Sequence, residues 1–565
     1  MHAPDRRAFL ALCASTGLTS TLLPGVLWAQ IQPGTKTITL EMVRGAAELA
    51  GLTWTDAECQ DLFDSLSRLA RGTDFIDKPS LTNASPLPLH FDPVPPGVPV
   101  PPPLPGVFRT TPAPRVTMPA TVEAVAFWPL THLARLLETR QVTSTALTTM
   151  YLARLTRHNG VLNCVAALTE ERALTEAKAA DSEIAAGKYR GVLHGIPYGV
   201  KDIIAATGYP TRWGAPPFEQ QVFAEDATVV QRLQTAGAVL VAKLTTGEMA
   251  FGDQWAGGRT NNPWNPEQGS SGSSAGPGAA TAAGLVAFSI GSDTGGSILS
   301  PSERCGLVGL RPTFGRVSRH GVMAAGTTLD KVGPMCRHAE DCAVVLRAIA
   351  GPDDQDLAVV RDRPIVFDAR GPVPSRIGYV PAMMDGEKDP EARANNDRVF
   401  AMLKRLGCTL HTVGIPGGGD LSYFIEYTER AAAFDSFTKS GRHTGLRQRN
   451  SRFLRAGQLV TAVDYLQANR RRAAIMQDLA RSMREVDVVM FTSLTLDSRT
   501  SLNPVMSLTG HPSIAVPNGF RADGTPTAVM FSGHLYREGD LISLARAWQN
   551  ATGDAGSPPP RFAPA

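Results

Sequence analysis

GSDTGGSILSP, residues 291–301, follows the apolar run Ala279–Ile290 and governs how the rest of the chain is interpreted. Asp293-Thr294-Gly295-Gly296-Ser297 offers consecutive backbone N–H groups, with no side chain at Gly295 or Gly296 to cover them. Such a turn can aim several amides at one developing anion, and a serine at its end lies within reach of the same carbon. Taken alone, TGGS also suits an ordinary turn.

Upstream, GSSGSSAGPG at 269–278 contains Gly272-Ser273-Ser274-Ala275-Gly276, the G-x-S-x-G pattern of a nucleophile elbow. An elbow needs a strand directly before the serine and a helix directly after it. The preceding residues are NNPWNPEQ, whose two prolines make a poor strand, so Ser274 is not expected to attack. A flexible Gly/Ser loop is the plain alternative. Earlier still, GIPYGVKD at 195–202 ends an apolar strand on Lys201. Burial there would lower an ammonium pKa from its reference near 10.4, and a neutral lysine can act as a general base. A solvated lysine at a strand end is the commoner case.

Together these pieces resemble the amidase signature family, in which a Gly/Ser-rich segment precedes D-x-G-G-S-I-R-x-P and a lysine ends an earlier G-I-P-x-x-V-K-D strand. The resemblance spans residues 127–553 and includes RPTFGRVSRHGV at 311–322, LDKVGPM at 329–335 and TGHPSIAVPNGFRADGTP at 509–526. It implies Lys201 as base and Ser297 as nucleophile. Between them stands Ser273, 24 positions before the nucleophile, matching a serine that follows a cis peptide. Thr294, Gly295, Gly296 and Ser297 are the implied oxyanion hole, with Gly272, Ser274 and Asp293 in support. Chemistry agrees, because a serine hydroxyl needs a proton acceptor and a second hydroxyl can both donate and accept. Two departures stand out: Leu299 replaces the family's Arg, and Ala275 replaces a glycine. That Arg is no proton-transfer group, so activity is expected to survive with altered support of Asp293.

The implied reaction is cleavage of amide C–N bonds in linear carboxamides through an acyl-enzyme, with esters and carbamates as further substrates. A C-terminal peptide amidase is a narrower version. The rival class is a non-catalytic exported binding protein on the same fold, which intact Lys201, Ser273 and Ser297 argue against. His194, His320 and His511 fall in strand or loop blocks and are expected to pack rather than to catalyse. No HExxH, CxxC pair or P-loop lysine occurs, so no cofactor and no metal are expected. The 55 Lys+Arg against 52 Asp+Glu are too balanced for a nucleic-acid surface. Partners reduce to a small-molecule or peptide amide, with a homodimer left open.

Residues 1–29 read as a Tat-like export signal: Arg6-Arg7, then Phe9-Leu10, an uncharged run to Leu27, and Ala29 at the cleavage site. A periplasmic or secreted location follows. No later run reaches the roughly 18 apolar residues of a membrane span. A helical prefix is expected over 30–84, with Leu40, Val43, Ala46, Ala47 and Ala50 on one face. A Pro-rich extended linker follows over 85–120. Residues 121–560 alternate helical stretches with the strand candidates GIPYGVKD, AVLVAKL, VDVVMFTSL, PSIAVPNGF and TAVMFSG. The expected fold is α/β, one large domain with a mixed twisted central sheet covered by helices on both faces. The six cysteines beyond the signal show no paired spacing, and no dependence on disulfides is expected.

Overall fold

The computed structural model describes residues 39–49, 52–63, 65–66, 107–112, 114–361, 363–385, 389–492, 502–553 and 555–564. The signal expected at 1–29 and the prolines of 85–106 lie outside them. The chain divides into two compact units, Met1–Leu89 with Asp420–Ile475, and His90–Gly419 with Met476–Ala565.

In the first unit, the prefix forms helices Leu40–Leu49 and Asp56–Asp61. Val43, Ala46 and Ala47 of the expected apolar face are buried, as a helix must be on the side that meets its neighbours. Thr55 and Glu58 form a capping box that satisfies the open amides of the second helix. Asp61 then accepts from Gln448 Nε2 at 2.6 Å and Arg455 Nη2 at 3.1 Å, both on helix Gln448–Gly457. Residues 420–475 therefore group with the prefix, which the sequence boundaries at 84 and 121 did not anticipate. Composition marks linkers, but an ion pair 394 residues apart leaves no local trace.

The second unit is built on a central sheet of eleven strands among the described residues. They are β1 Val165–Leu168, β2 Pro197–Lys201, β3 Val239–Leu244, β4 Phe288–Asp293, β5 Val308–Arg311 and β6 Lys331–Cys336. The rest are β7 Arg376–Tyr379, β8 Thr409–Thr412, β9 Val488–Phe491, β10 Ser513–Phe520 and β11 Pro526–Gly533. Their order across the sheet is β8-β7-β9-β11-β10-β5-β6-β4-β2-β3-β1. Parallel pairs β2/β3 and β2/β4 sit beside antiparallel β4/β6, β5/β6 and β10/β11. The sheet is thus mixed, as the alternation of elements implied, and helices Ala275–Ala282, Ala339–Ile349 and Glu538–Thr552 pack on its strands.

All five residues of β2 and all six of β4 are buried, the two serines and the aspartate of β4 included. Tyr198 stacks on Phe288 across this pair, with centroids 5.3 Å apart. Because β2 and β4 run parallel, Lys201 and Asp293 finish neighbouring strands at one edge. In open α/β sheets that carboxyl edge is where ligands bind. The end of the expected linker also belongs to this unit: Phe108–Arg109 pairs with Phe367–Asp368, and Thr111 N donates to Glu340 at 2.6 Å. Among the described residues, no helix is long and apolar enough to cross a membrane, and six buried cysteines are free thiols.

His511, just ahead of β10, is buried and shares a 2.8 Å hydrogen bond with Thr509 Oγ1. Burial first, then nearby cationic groups, pulls its pKa down to about 3. The unfolded chain takes up this proton near pH 6.5 and the fold refuses it, so stability is full above that pH and is lost as the pH falls. One such proton is worth about 1.4 kcal/mol per pH unit. His511→Asn is expected to reduce the pH dependence of the unfolding free energy by about that slope between about pH 6.5 and 4.5. Urea titrations giving equal slopes for both proteins would show that His511 protonates within the fold.

Candidate active site

Lys201, at the carboxyl end of β2, is 0% exposed, and its Nζ donates to Ser273 Oγ at 2.7 Å and Ser292 Oγ at 2.9 Å. Its neighbour Asp202 turns the other way and pairs with the buried Lys243 at 2.8 Å. Ser273 follows a cis Gly272–Ser273 peptide. Gly272 lies so close to the opposite loop that a Cβ would fall 1.9 Å from Gly252 O, so no larger residue fits there. Ser271, standing where the family has glycine, takes a left-handed φ of 61° and bonds Ser300 Oγ at 2.6 Å. Ser274 is buried and is not at an elbow. Its Oγ donates to Ser292 O at 3.1 Å and accepts from Ser292 N at 3.2 Å, and its N donates to Ser297 O at 3.1 Å. These bonds lace the 271–274 segment to the 292–300 turn.

That turn folds around one carboxylate. Asp293 is 0% exposed and accepts from Gly296 N at 2.7 Å, Ile298 N at 2.8 Å and Arg311 Nη1 at 3.2 Å. Burial works against its charge, but Arg311, Lys331 and the two amides outweigh it and hold its pKa below the usual carboxylate range. Leu299 is fully buried and offers Asp293 only its N–H, at 3.4 Å, so the guanidinium support comes from β5. Among the described residues, the N–H groups of Thr294, Gly295 and Ser297 and the Oγ of Ser297 have no hydrogen-bond partner. Gly296 departs from the expected oxyanion set, because its N–H is already taken by Asp293. Its φ of 127° is what lets the chain turn back far enough.

A buried amine bonded to two hydroxyls, a serine whose carbonyl is tied to the neighbouring Ser274 N–H, and three unpaired amides in one turn are groups that acyl transfer can use. The family model described as Amidase matches residues 146–498, which carry all three side chains. The chain belongs to the amidase signature family. The putative amidase AmiD of Mycobacterium tuberculosis (strain ATCC 25618 / H37Rv) is 36% identical over 461 residues, 76% of this chain and 95% of that protein. A glutamyl-tRNA(Gln) amidotransferase component from Thermosynechococcus vestitus is 32% identical over 471 residues, 74% of this chain and 97% of that protein. Among solved structures, the native peptide amidase from Stenotrophomonas maltophilia matches with a TM-score of 0.68 at 27% identity, over 77% of this chain and 99% of that one. The chain is an amide hydrolase by this membership.

Beside the site of this amidase lies a cavity of about 230 Å³, whose lining includes Ser292 and Asp330. Ile203, Val322, Met323 and Ala324 form its apolar side. Asp330 joins it to the turn by accepting from Thr294 Oγ1 at 2.6 Å. His320 lines the same cavity, while His194 packs against Glu183 at 3.2 Å. Trp264 packs at a tilt against Phe520 and donates to Cys305 O at 2.8 Å, a packing role.

Sequence reasoning missed Ser292, Arg311 and Asn503. Arg311 Nη1 reaches Asn503 Oδ1 at 2.7 Å, and Asn503 Nδ2 donates to Gly295 O at 2.8 Å. Only the arginine's place in an apolar strand end gave a signal, since a charge there needs a partner. Arg311→Met would leave Asp293 buried without its guanidinium, a loss of about 3–5 kcal/mol. Urea unfolding is the check, and a change below about 1 kcal/mol would be no more than an exposed ion pair gives.

Proposed function

We propose that the chain hydrolyses linear carboxamides through an acyl-enzyme on Ser297. Ser297 Oγ attacks the carbonyl carbon and passes its proton to Ser273, which passes its own to Lys201 Nζ. The tetrahedral oxygen takes N–H bonds from Gly295 and Ser297, with Thr294 beside them. Collapse breaks the C–N bond, and the proton returns through Ser273 to the leaving nitrogen. Water then attacks the acyl carbon, giving its proton through Ser273 to Lys201; collapse breaks the Ser297 Oγ–acyl bond, the proton returns to Ser297, and the carboxylate leaves. The observation that carries this assignment is the 2.7 Å bond from Lys201 Nζ to Ser273 Oγ between two buried side chains. Burial penalises the charged amine, which suits a group that must accept a proton.

The balance of 55 Lys+Arg against 52 Asp+Glu favours a free carboxamide over a tRNA-linked one. The apolar side of the cavity supports short aliphatic substituents next to the scissile bond.

Ser297→Ala should lower kcat for an anilide on the order of 10⁴-fold or more, and Lys201→Met by about 10²–10⁴-fold. Labelling by a fluorophosphonate should map to Ser297, and a label on another serine in the active protein would refute the assignment. Ala324→Phe should depress kcat/KM for longer aliphatic amides while sparing acetamide, because the ring occupies the cavity. An unchanged chain-length profile would show that the substrate lies elsewhere.

A further inference from the structure

We propose that Lys331 and Ser507 form a polarising relay behind the Gly295 amide, which makes Lys331 a positioning residue for the charge that develops in the transition state. Lys331 opens β6 directly opposite Asp293 in the antiparallel register and is 2% exposed. Its Nζ donates to Ser507 Oγ at 2.8 Å and to Ser507 O at 3.3 Å. A hydroxyl that accepts from an ammonium has one proton to direct elsewhere. Ser507 directs it to Thr294 O.

That carbonyl is one end of a peptide unit whose other end is the Gly295 N–H. In a trans peptide the two point in opposite directions, so holding the oxygen on the Ser507 side aims the N–H the other way. Gly295 is exposed, and a Cβ built on it meets nothing within 4 Å. Asn503, one helical turn before Ser507 on Asn503–Leu508, fixes the next peptide by donating to Gly295 O at 2.8 Å. That second bond points the Gly296 N–H at Asp293 rather than outward. The two side chains thus sort the amides, one outward and one inward.

The cation adds more than direction. Chained hydrogen bonds polarise one another, so a positive charge behind Ser507 draws density onto Thr294 O and strengthens the Gly295 N–H as a donor. The competing role for Lys331 is to neutralise Asp293 within the fold, since it lies near enough to hold that carboxyl down together with Arg311. A fold role would appear in stability alone. The relay predicts an effect on the oxyanion, and it rests on Ser297 being the nucleophile.

The full chain is assayed with an anilide and with a trifluoromethyl ketone, which adds to Ser297 Oγ and places its oxygen as the oxyanion. Lys331→Met is expected to lower kcat by about 10–100-fold with KM within about twofold, somewhat less than the loss of a whole oxyanion donor. It should weaken the ketone by the same factor. Ser507→Ala should do the same, the double variant should be no worse than either single, and Lys331→Arg should restore most of the rate. A Lys331→Met enzyme with unchanged kcat, or losses that multiply in the double variant, would overturn the relay. Should Lys331→Met fail to fold, Ser507→Ala carries the test alone, and an unaltered ketone affinity there overturns it. Ser297→Ala separates the two ideas: an active Ser297→Ala enzyme defeats the nucleophile assignment, whereas an inactive one beside a fully active Lys331→Met enzyme defeats only the relay.

Discussion

Everything in the site hangs on the buried carboxylate of Asp293. An uncompensated charge at that depth would cost several kcal/mol, and the chain offsets this with Arg311 and with the N–H groups of Gly296 and Ile298. Satisfying Asp293 bends residues 293–298 back on themselves. The bend leaves the amides of Thr294, Gly295 and Ser297 without internal partners among the described residues. Structural need and chemical readiness are thus one event: the turn that pairs a buried charge is the turn that presents donors to a substrate oxygen.

The parallel register of β2 and β4 supplies the other half. It sets Lys201 and Asp293 at adjacent strand ends, and the tight approach of Gly272 to Gly252 O brings Ser273 onto the lysine. Ser292, one residue before Asp293, gives Lys201 Nζ a second oxygen at 2.9 Å. A hydroxyl on either side fixes the position of the amine.

Much of this was legible in the sequence where it is local. GIPYGVKD, AVLVAKL and PSIAVPNGF are apolar, short and bounded by turn residues, and they became β2, β3 and β10. The rejection of Ser274 as nucleophile followed from two prolines, and the structure shows that side chain holding Ser292 instead. β1 and β4 to β8 were not among the strand candidates: β8 is largely exposed, and β4 mixes two serines, a glycine and an aspartate into six residues. Gly296 was expected in the oxyanion set because a run of small residues does not reveal which amide a carboxylate will claim. Asn503 and Ser507 were invisible for a different reason, and Arg311 signalled only that a charge at a strand end needs some partner. Their partners lie 208, 213 and 18 residues away in sequence, and only the sheet order brings them together.

The most direct test of this account is the crystal structure of the trifluoromethyl ketone adduct. The hemiketal should be bonded to Ser297 Oγ, with its oxygen about 2.7–3.1 Å from the N–H groups of Gly295 and Ser297 and with Gly296 N still on Asp293. An adduct on another side chain, or a Gly296 N–H released from Asp293 to meet the oxygen, would contradict the claim that the buried carboxylate decides which amides the substrate meets.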